Sequence, residues 1–177
     1  FYLDKLNVRN IKFIGNLKFI ENDNFKADKA DKKIFTQFKK YKTFIAASTH
    51  ESEELFAAKT HILLNKKNKN VITIIIPRHI NRVGQIISEI SELGLKVVTR
   101  SSNKVELKNI DIFIVDTFGE SEKFYKFATT VFLGKSIVKG GGQNPLEPAR
   151  FGAKILHGPG VSNFKDVYKY LKQLKIS

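Results

Sequence analysis

Three residue types are missing from this chain: cysteine, methionine and tryptophan. Without cysteine there is no disulfide, no thiol nucleophile and no zinc–thiolate site. Without methionine, and with Phe at position 1, the sequence reads as a piece of a longer protein. No run of about 18 apolar residues occurs, so no segment reads as a membrane-spanning helix. Acidic residues are few, 17 against 31 basic ones, and the formal net charge is +14. The excess lies toward both ends, with residues 71–120 in balance. Such a field draws polyanions: nucleic acid, anionic lipid or phosphorylated ligands. An abundance of Lys, Asn and Ile, as in AT-rich genomes, accounts for part of it.

Several motifs are missing as well. There is no G-x-x-x-x-G-K-[ST], no G-x-G-x-x-G after the first strand and no G-x-S-x-G, which disfavours P-loop nucleotide hydrolysis, dinucleotide chemistry and an elbow serine. The histidines, His50, His61, His79 and His157, show no metal-binding spacing. No aromatic RNP pattern occurs, so no specific nucleic-acid partner is expected.

What is present is an alternation of strand and helix. A share of 42% hydrophobic residues supports one packed domain over the 177 residues. Short strands are predicted at Ile11–Gly15, Thr43–Ala47, Leu95–Thr99, Asp111–Val115, Thr130–Leu133 and Lys154–Leu156. The run Val71–Ile76, continuous and β-branched, suits a strand buried on both faces. Residues 21–33 read as a charged loop entering a helix at Asp31. Leu55, Ala58 and Ile62, with Phe56 and Leu63 beside them, predict a helix face. So do Val83, Ile86, Ile87, Ile90 and Leu93, stopped by Gly94. A further helix is predicted over 120–127, and a last one with Val167, Tyr170, Leu171 and Leu174 as its apolar face. The pattern is that of an α/β fold with a doubly wound, Rossmann-like parallel sheet, whose ligands bind beyond the carboxyl ends of the strands.

Polar clusters fall at those ends. Ser48 and Thr49 precede a helix, as ligand hydroxyls or as caps. Arg78 follows a strand as a fork for phosphate or carboxylate, or as a surface residue. Thr117 and Gly119 sit in a turn that could face a ligand. Most informative is Gly140–Pro159. Its glycine run would let backbone N–H groups approach an anion, and Asn144-Pro145 reads as a helix start favouring negative charge. Glu147, three residues after Asn144, fits a capping box or a carboxylate that binds sugar hydroxyls. An ordinary strand-to-helix turn would look the same.

Taken in order, Gly15-Asn16-Leu17-Lys18-Phe19, Ala47-Ser48-Thr49-His50-Glu51 with Glu53-Glu54, Pro77-Arg78-His79, Asp116-Thr117 with Gly119-Glu120, Gly141-Gly142 with Asn144-Pro145-Leu146-Glu147-Pro148-Ala149, and Gly158-Pro159 with Asn163-Phe164 closely resemble the C-terminal half of 3-deoxy-D-manno-octulosonic acid (Kdo) transferases. The resemblance spans nearly the whole chain. It implies a single donor-binding domain over 1–177, one half of a GT-B glycosyltransferase, without the N-terminal acceptor domain and the last C-terminal elements. The implied reaction is inverting transfer of Kdo from CMP-Kdo to a lipid A precursor in lipopolysaccharide synthesis, without metal or cofactor. The base lies in the other domain, so no catalytic residue is expected here and the isolated chain is expected to be inactive. The implied setting is the cytoplasmic face of the bacterial inner membrane, held peripherally at an anionic surface. The resemblance assigns donor contacts to Ser48, Thr49 and Arg78, the nucleotide pocket to Thr117 and Gly119, phosphate to Ser136 and Asn144, and ribose to Glu147. The alternatives are a GT-B transferase using a UDP-sugar, and a degenerate, non-catalytic remnant. The remnant reading is motivated by departures from the family: Gln143 where His is usual, and Ser52 and Lys135 where Gly is usual.

Overall fold

The computed structural model describes residues 29–102, 106–138 and 140–177. The predicted strand at Ile11–Gly15 lies outside them. The described elements begin with helix α1 (Lys29–Phe38), then β1 (Lys42–Thr49), α2 (Glu53–Lys67), β2 (Val71–Pro77), α3 (Val83–Ser91) and β3 (Val97–Thr99). They continue through β4 (Ile112–Ile114), α4 (Ser121–Tyr125), β5 (Ala128–Leu133), α5 (Leu146–Arg150), β6 (Lys154–Leu156) and α6 (Lys165–Gln173). The strands form one six-stranded sheet in the order β3-β4-β2-β1-β5-β6. All its pairings are parallel.

Side chains alternate across the pleat, so β1 serves two cores. Ile45 and Ala47 pack with Phe38, Phe113, Phe124, Tyr168 and Leu171 on one face. Phe44 and Ala46 pack with Ala57, Ala58, Val83, Ile86 and Ile90 on the other. Both faces are covered by helices, as a parallel sheet requires. Phe38 meets Phe113 edge to face at 5.2 Å, the preferred geometry for buried rings.

Two helix faces depart from the periodicity. In α2 the buried residues are Glu53, Glu54, Ala57, Ala58 and His61, while Phe56 and Leu63 are exposed. The polar ones are buried because they are partnered. Glu54 pairs with Arg82 at 3.2 Å, and the His61 Nδ1 lies 3.0 Å from Thr73 Oγ1. In α6 the buried residues are Tyr168 and Leu171, and Tyr170 and Leu174 face solvent. The Tyr168 hydroxyl donates to the Gln143 carbonyl at 3.2 Å, so its polar tip has a partner inside the fold.

The connection from β4 to β5 carries the chain past β2 and β1 to the opposite side of the sheet. This makes the β1/β5 boundary the topological switch point, where open α/β sheets place their ligands.

Candidate functional site

A cavity of about 210 Å³ opens beyond the carboxyl ends of β1 and β5, lined by Ser48, Arg78, Ser121, Tyr125, Leu133, Gln143, Asn144, Glu147 and Phe164. Four residues read from the sequence, Ser48, Arg78, Asn144 and Glu147, converge here from the end of β1, the turn after β2 and the segment that enters α5. Ser48 has φ +52, a left-handed conformation that non-glycine residues rarely hold. Such strain is concentrated at ligand sites. Asn144 is 9% exposed, and its Oδ1 accepts the Leu146 N–H at 3.1 Å. Its amide nitrogen Nδ2 is buried and finds no hydrogen-bond partner. A buried amide donor left unsatisfied costs about 1–3 kcal/mol.

The other expected residues hold different places. Thr49 is fully buried at the end of β1. Ser136 is also fully buried, its hydroxyl donating to the Leu133 carbonyl and accepting the Gly158 N–H at 2.9 Å. It ties the end of β5 to the loop after β6 and does not line the cavity. The Thr117 hydroxyl donates to Glu120, and Gly119, with φ +73, supplies the bend beside it. Glu120 in turn meets Arg100 Nε at 3.1 Å and Lys123 Nζ at 2.7 Å. Burial pushes the Glu120 carboxyl up, but the hydrogen bonds from Arg100, Lys123 and Thr117 outweigh it and hold it down to about 2.

The glycine segment works differently from its sequence reading. Gly141 and Gly142 both have φ +78, which only glycine takes without strain. A Cβ on Gly141 would stand 2.7 Å from the Asn163 side chain, and one on Gly142 would stand 2.9 Å from the Gly160 carbonyl. The Gly142 N–H donates to the Lys135 carbonyl at 2.9 Å. The glycines thus let two loops touch, and that N–H is spent inside the fold. The helix after them begins at Leu146 with Pro145 as N-cap, one position later than a capping box on Asn144 needs. It has five residues, too short to gather much of a dipole. The anion-attracting groups of the cavity are therefore side chains, Arg78 and Asn144.

Ser121, Tyr125 and Gln143 line the cavity without having been singled out as contacts. Tyr125 is 2% exposed, and its phenol is pushed well above its ordinary value by burial, with the Glu147 and Glu122 charges adding to the effect. Its place could have been inferred from the short spacing between Ser121 and Tyr125 in the helix that follows Thr117. The structure also brings together His50 and His79, far apart in sequence, with ring centroids 5.4 Å apart. The His50 Nε2 is buried without a partner. Burial lowers the His50 pKa, the nearby Glu53 carboxylate opposing it.

Comparison with known proteins agrees with the fold and with the resemblance along the chain. No protein-family model matches the chain. Among curated proteins it is similar to the 3-deoxy-D-manno-octulosonic acid transferase of Haemophilus influenzae, 30% identical over 97% of this chain and 39% of the relative. It is similar also to the enzyme of that name from Rickettsia felis, 34% identical over 96% of this chain and 35% of the relative. The chain thus resembles the Kdo transferases along nearly its whole length, and spans between a third and two fifths of theirs. Among solved structures it is similar to the C-terminal CMP-Kdo binding domain of WaaA from Acinetobacter baumannii. The TM-score is 0.74 at 23% identity, over 81% of this chain and 78% of that one. That likeness shows the Rossmann-like fold.

Proposed function

We propose that the chain is the donor-binding part of a Kdo transferase, one half of a GT-B enzyme that moves Kdo from CMP-Kdo to a lipid A precursor with inversion. The observation that carries this reading is the polar cavity at the switch point, where Ser48, Arg78, Asn144 and Glu147 come together. Arg78 and Asn144 would meet the donor's phosphate or the sugar's carboxylate, where charge-assisted hydrogen bonds are strongest. Glu147 would take the ribose hydroxyls, and Ser48 the edge of the sugar. Thr49 and Ser136, buried behind the lining, and Thr117 and Gly119, in the turn before α4, would support the cavity from outside it. In transfer, the bond from the anomeric carbon to the CMP phosphate breaks as an acceptor hydroxyl attacks. Cationic and amide donors around the phosphate would stabilise the charge that gathers on it. The attacking hydroxyl would be the acceptor's, and the base that deprotonates it would belong to an acceptor domain outside this sequence, so this chain alone should not transfer sugar. The net charge of +14 supports a peripheral position at an anionic bilayer, on the cytoplasmic side. Among the described residues no helix is long and apolar enough to cross a membrane.

Calorimetric titration of the chain with CMP and with UMP, at two salt concentrations, tests the reading. Saturable CMP-selective binding that falls about tenfold in Glu147→Ala is the expected result. Preference for UMP would place the chain with UDP-sugar transferases. Binding indifferent to the base and abolished by salt would mark a non-catalytic remnant.

A further inference from the structure

The turn leaving β5 is closed by a carboxylate from across the crevice. Glu53, at the start of α2, is 1% exposed. Its Oε2 accepts the His50 N–H at 3.0 Å and the Lys135 N–H at 2.7 Å. Its Oε1 accepts the Ser136 and Ile137 N–H groups, both at 3.2 Å. Three successive amides converging on one anion form a backbone nest, the concavity that elsewhere receives phosphate. Lys135, with φ +55, supplies the left-handed turn that folds the amides inward. Here the anion belongs to the chain itself.

The same carboxylate joins both banks of the crevice. On one bank it holds His50, two residues from Ser48. On the other it holds Lys135, whose carbonyl accepts the Gly142 N–H, two residues from Asn144. Between them the backbones are in close contact, since the Gly134 N–H donates to the Ala47 carbonyl at 2.9 Å. A Cβ on Gly134 would run into the Ser48 carbonyl and the Thr49 Cα.

We infer that Glu53 is a positioning residue for this crevice: its buried carboxylate fills the Lys135–Ile137 nest, fixes Ser48 against the Asn144 loop, and closes those amides to any ligand phosphate. The donor's anionic group is left to Arg78 and Asn144, and in that respect the inference rests on the donor-site reading above. An isosteric amide cannot replace the carboxylate. The Gln side chain offers one acceptor oxygen and turns an NH2 donor toward N–H donors.

The test uses thermal melts and CMP titrations on the wild type, Glu53→Gln and Glu53→Ala. Both substitutions should weaken CMP binding about tenfold. Formate, compared with chloride at equal ionic strength, should raise the melting temperature of Glu53→Ala and recover its CMP affinity, by entering the emptied nest. Glu53→Gln, whose amide still fills the space, should not respond. A general loss of stability would not distinguish formate from chloride. Glu53→Gln binding CMP as the wild type does, or Glu53→Ala responding alike to both anions, overturns the inference. Should Glu53→Ala not fold, Glu53→Gln decides through its CMP affinity and its lack of response to formate. A wild type that ignores CMP would defeat the donor reading alone, and the formate effect on melting would still judge the nest.

Discussion

Two residues that depart from the Kdo transferase pattern stand at left-handed backbone positions. Ser52 has φ +71 and Lys135 has φ +55. Glycine takes such angles freely, whereas an L-residue there carries a cost of about 1–2 kcal/mol. A glycine preference at both positions is thereby explained by backbone geometry and needs no contact to a ligand. Ser52→Gly and Lys135→Gly should each stabilise the chain by about 0.5–1 kcal/mol in urea denaturation, the gain being trimmed by glycine's greater freedom in the unfolded chain. Gln143, the third departure, does line the cavity. Its effect is chemical, since an amide there can hydrogen-bond but cannot take a charge as imidazole can. The tolerance of Ser52 and Lys135 thus bears on stability, and Gln143 on binding.

Elements that bury plain hydrocarbon were legible from pattern. The Val71–Ile76 run became β2, and the Val83, Ile86, Ile90 stripe became the buried face of α3. Helix α2 was legible as a helix but its buried face was not, because that face carries Glu53, Glu54 and His61, whose partners in other elements no local period can reveal. The loop after β4 shows the same thing at larger scale. Thr117 and Glu120 were read as ligand-facing or as helix start, yet they join a network with Arg100, Asp31 and Lys123 that binds α1 and α4 to the turn after β3. Glu120 ionises at about 2 in the fold against 4.5 unperturbed, so its contribution to stability is complete above pH 4.5 and is lost as pH falls toward 2. Arg100→Ala should cost about 3 kcal/mol at neutral pH, by removing one partner from a largely buried network. It should also move the acid-unfolding midpoint upward as Glu120 loses its main donor, which circular dichroism against pH would record.

For the molecule as a whole, acid sensitivity should appear earlier through histidine. His61 is fully buried, within 3.4 Å of Asp111. Burial lowers its pKa, with Asp111 partly opposing, and burial lowers that of His50 as well. Below about pH 6.5 the unfolded chain therefore takes up protons that the folded chain refuses. Stability should fall as pH drops from about 7 to 5, and His61→Gln should flatten that slope in melting temperature against pH. The position of the polar cavity was legible for a related global reason: an alternating α/β sequence fixes which ends of the strands carry turns, and the polar clusters marked those turns. The use made of each group was not. Ser136 and the Gly142 amide proved to be internal fasteners, while Asn144 lines the cavity with a buried amide nitrogen that has no partner.

The filled nest at Glu53 carries a thermodynamic corollary. Where a loop becomes ordered only when its ligand arrives, affinity is reduced by that loss of freedom. Here the loop's conformational entropy is surrendered during folding, to a carboxylate that never leaves. A nucleotide would dock on an already rigid wall, with little rearrangement on arrival and with its heat of binding reporting contacts rather than ordering.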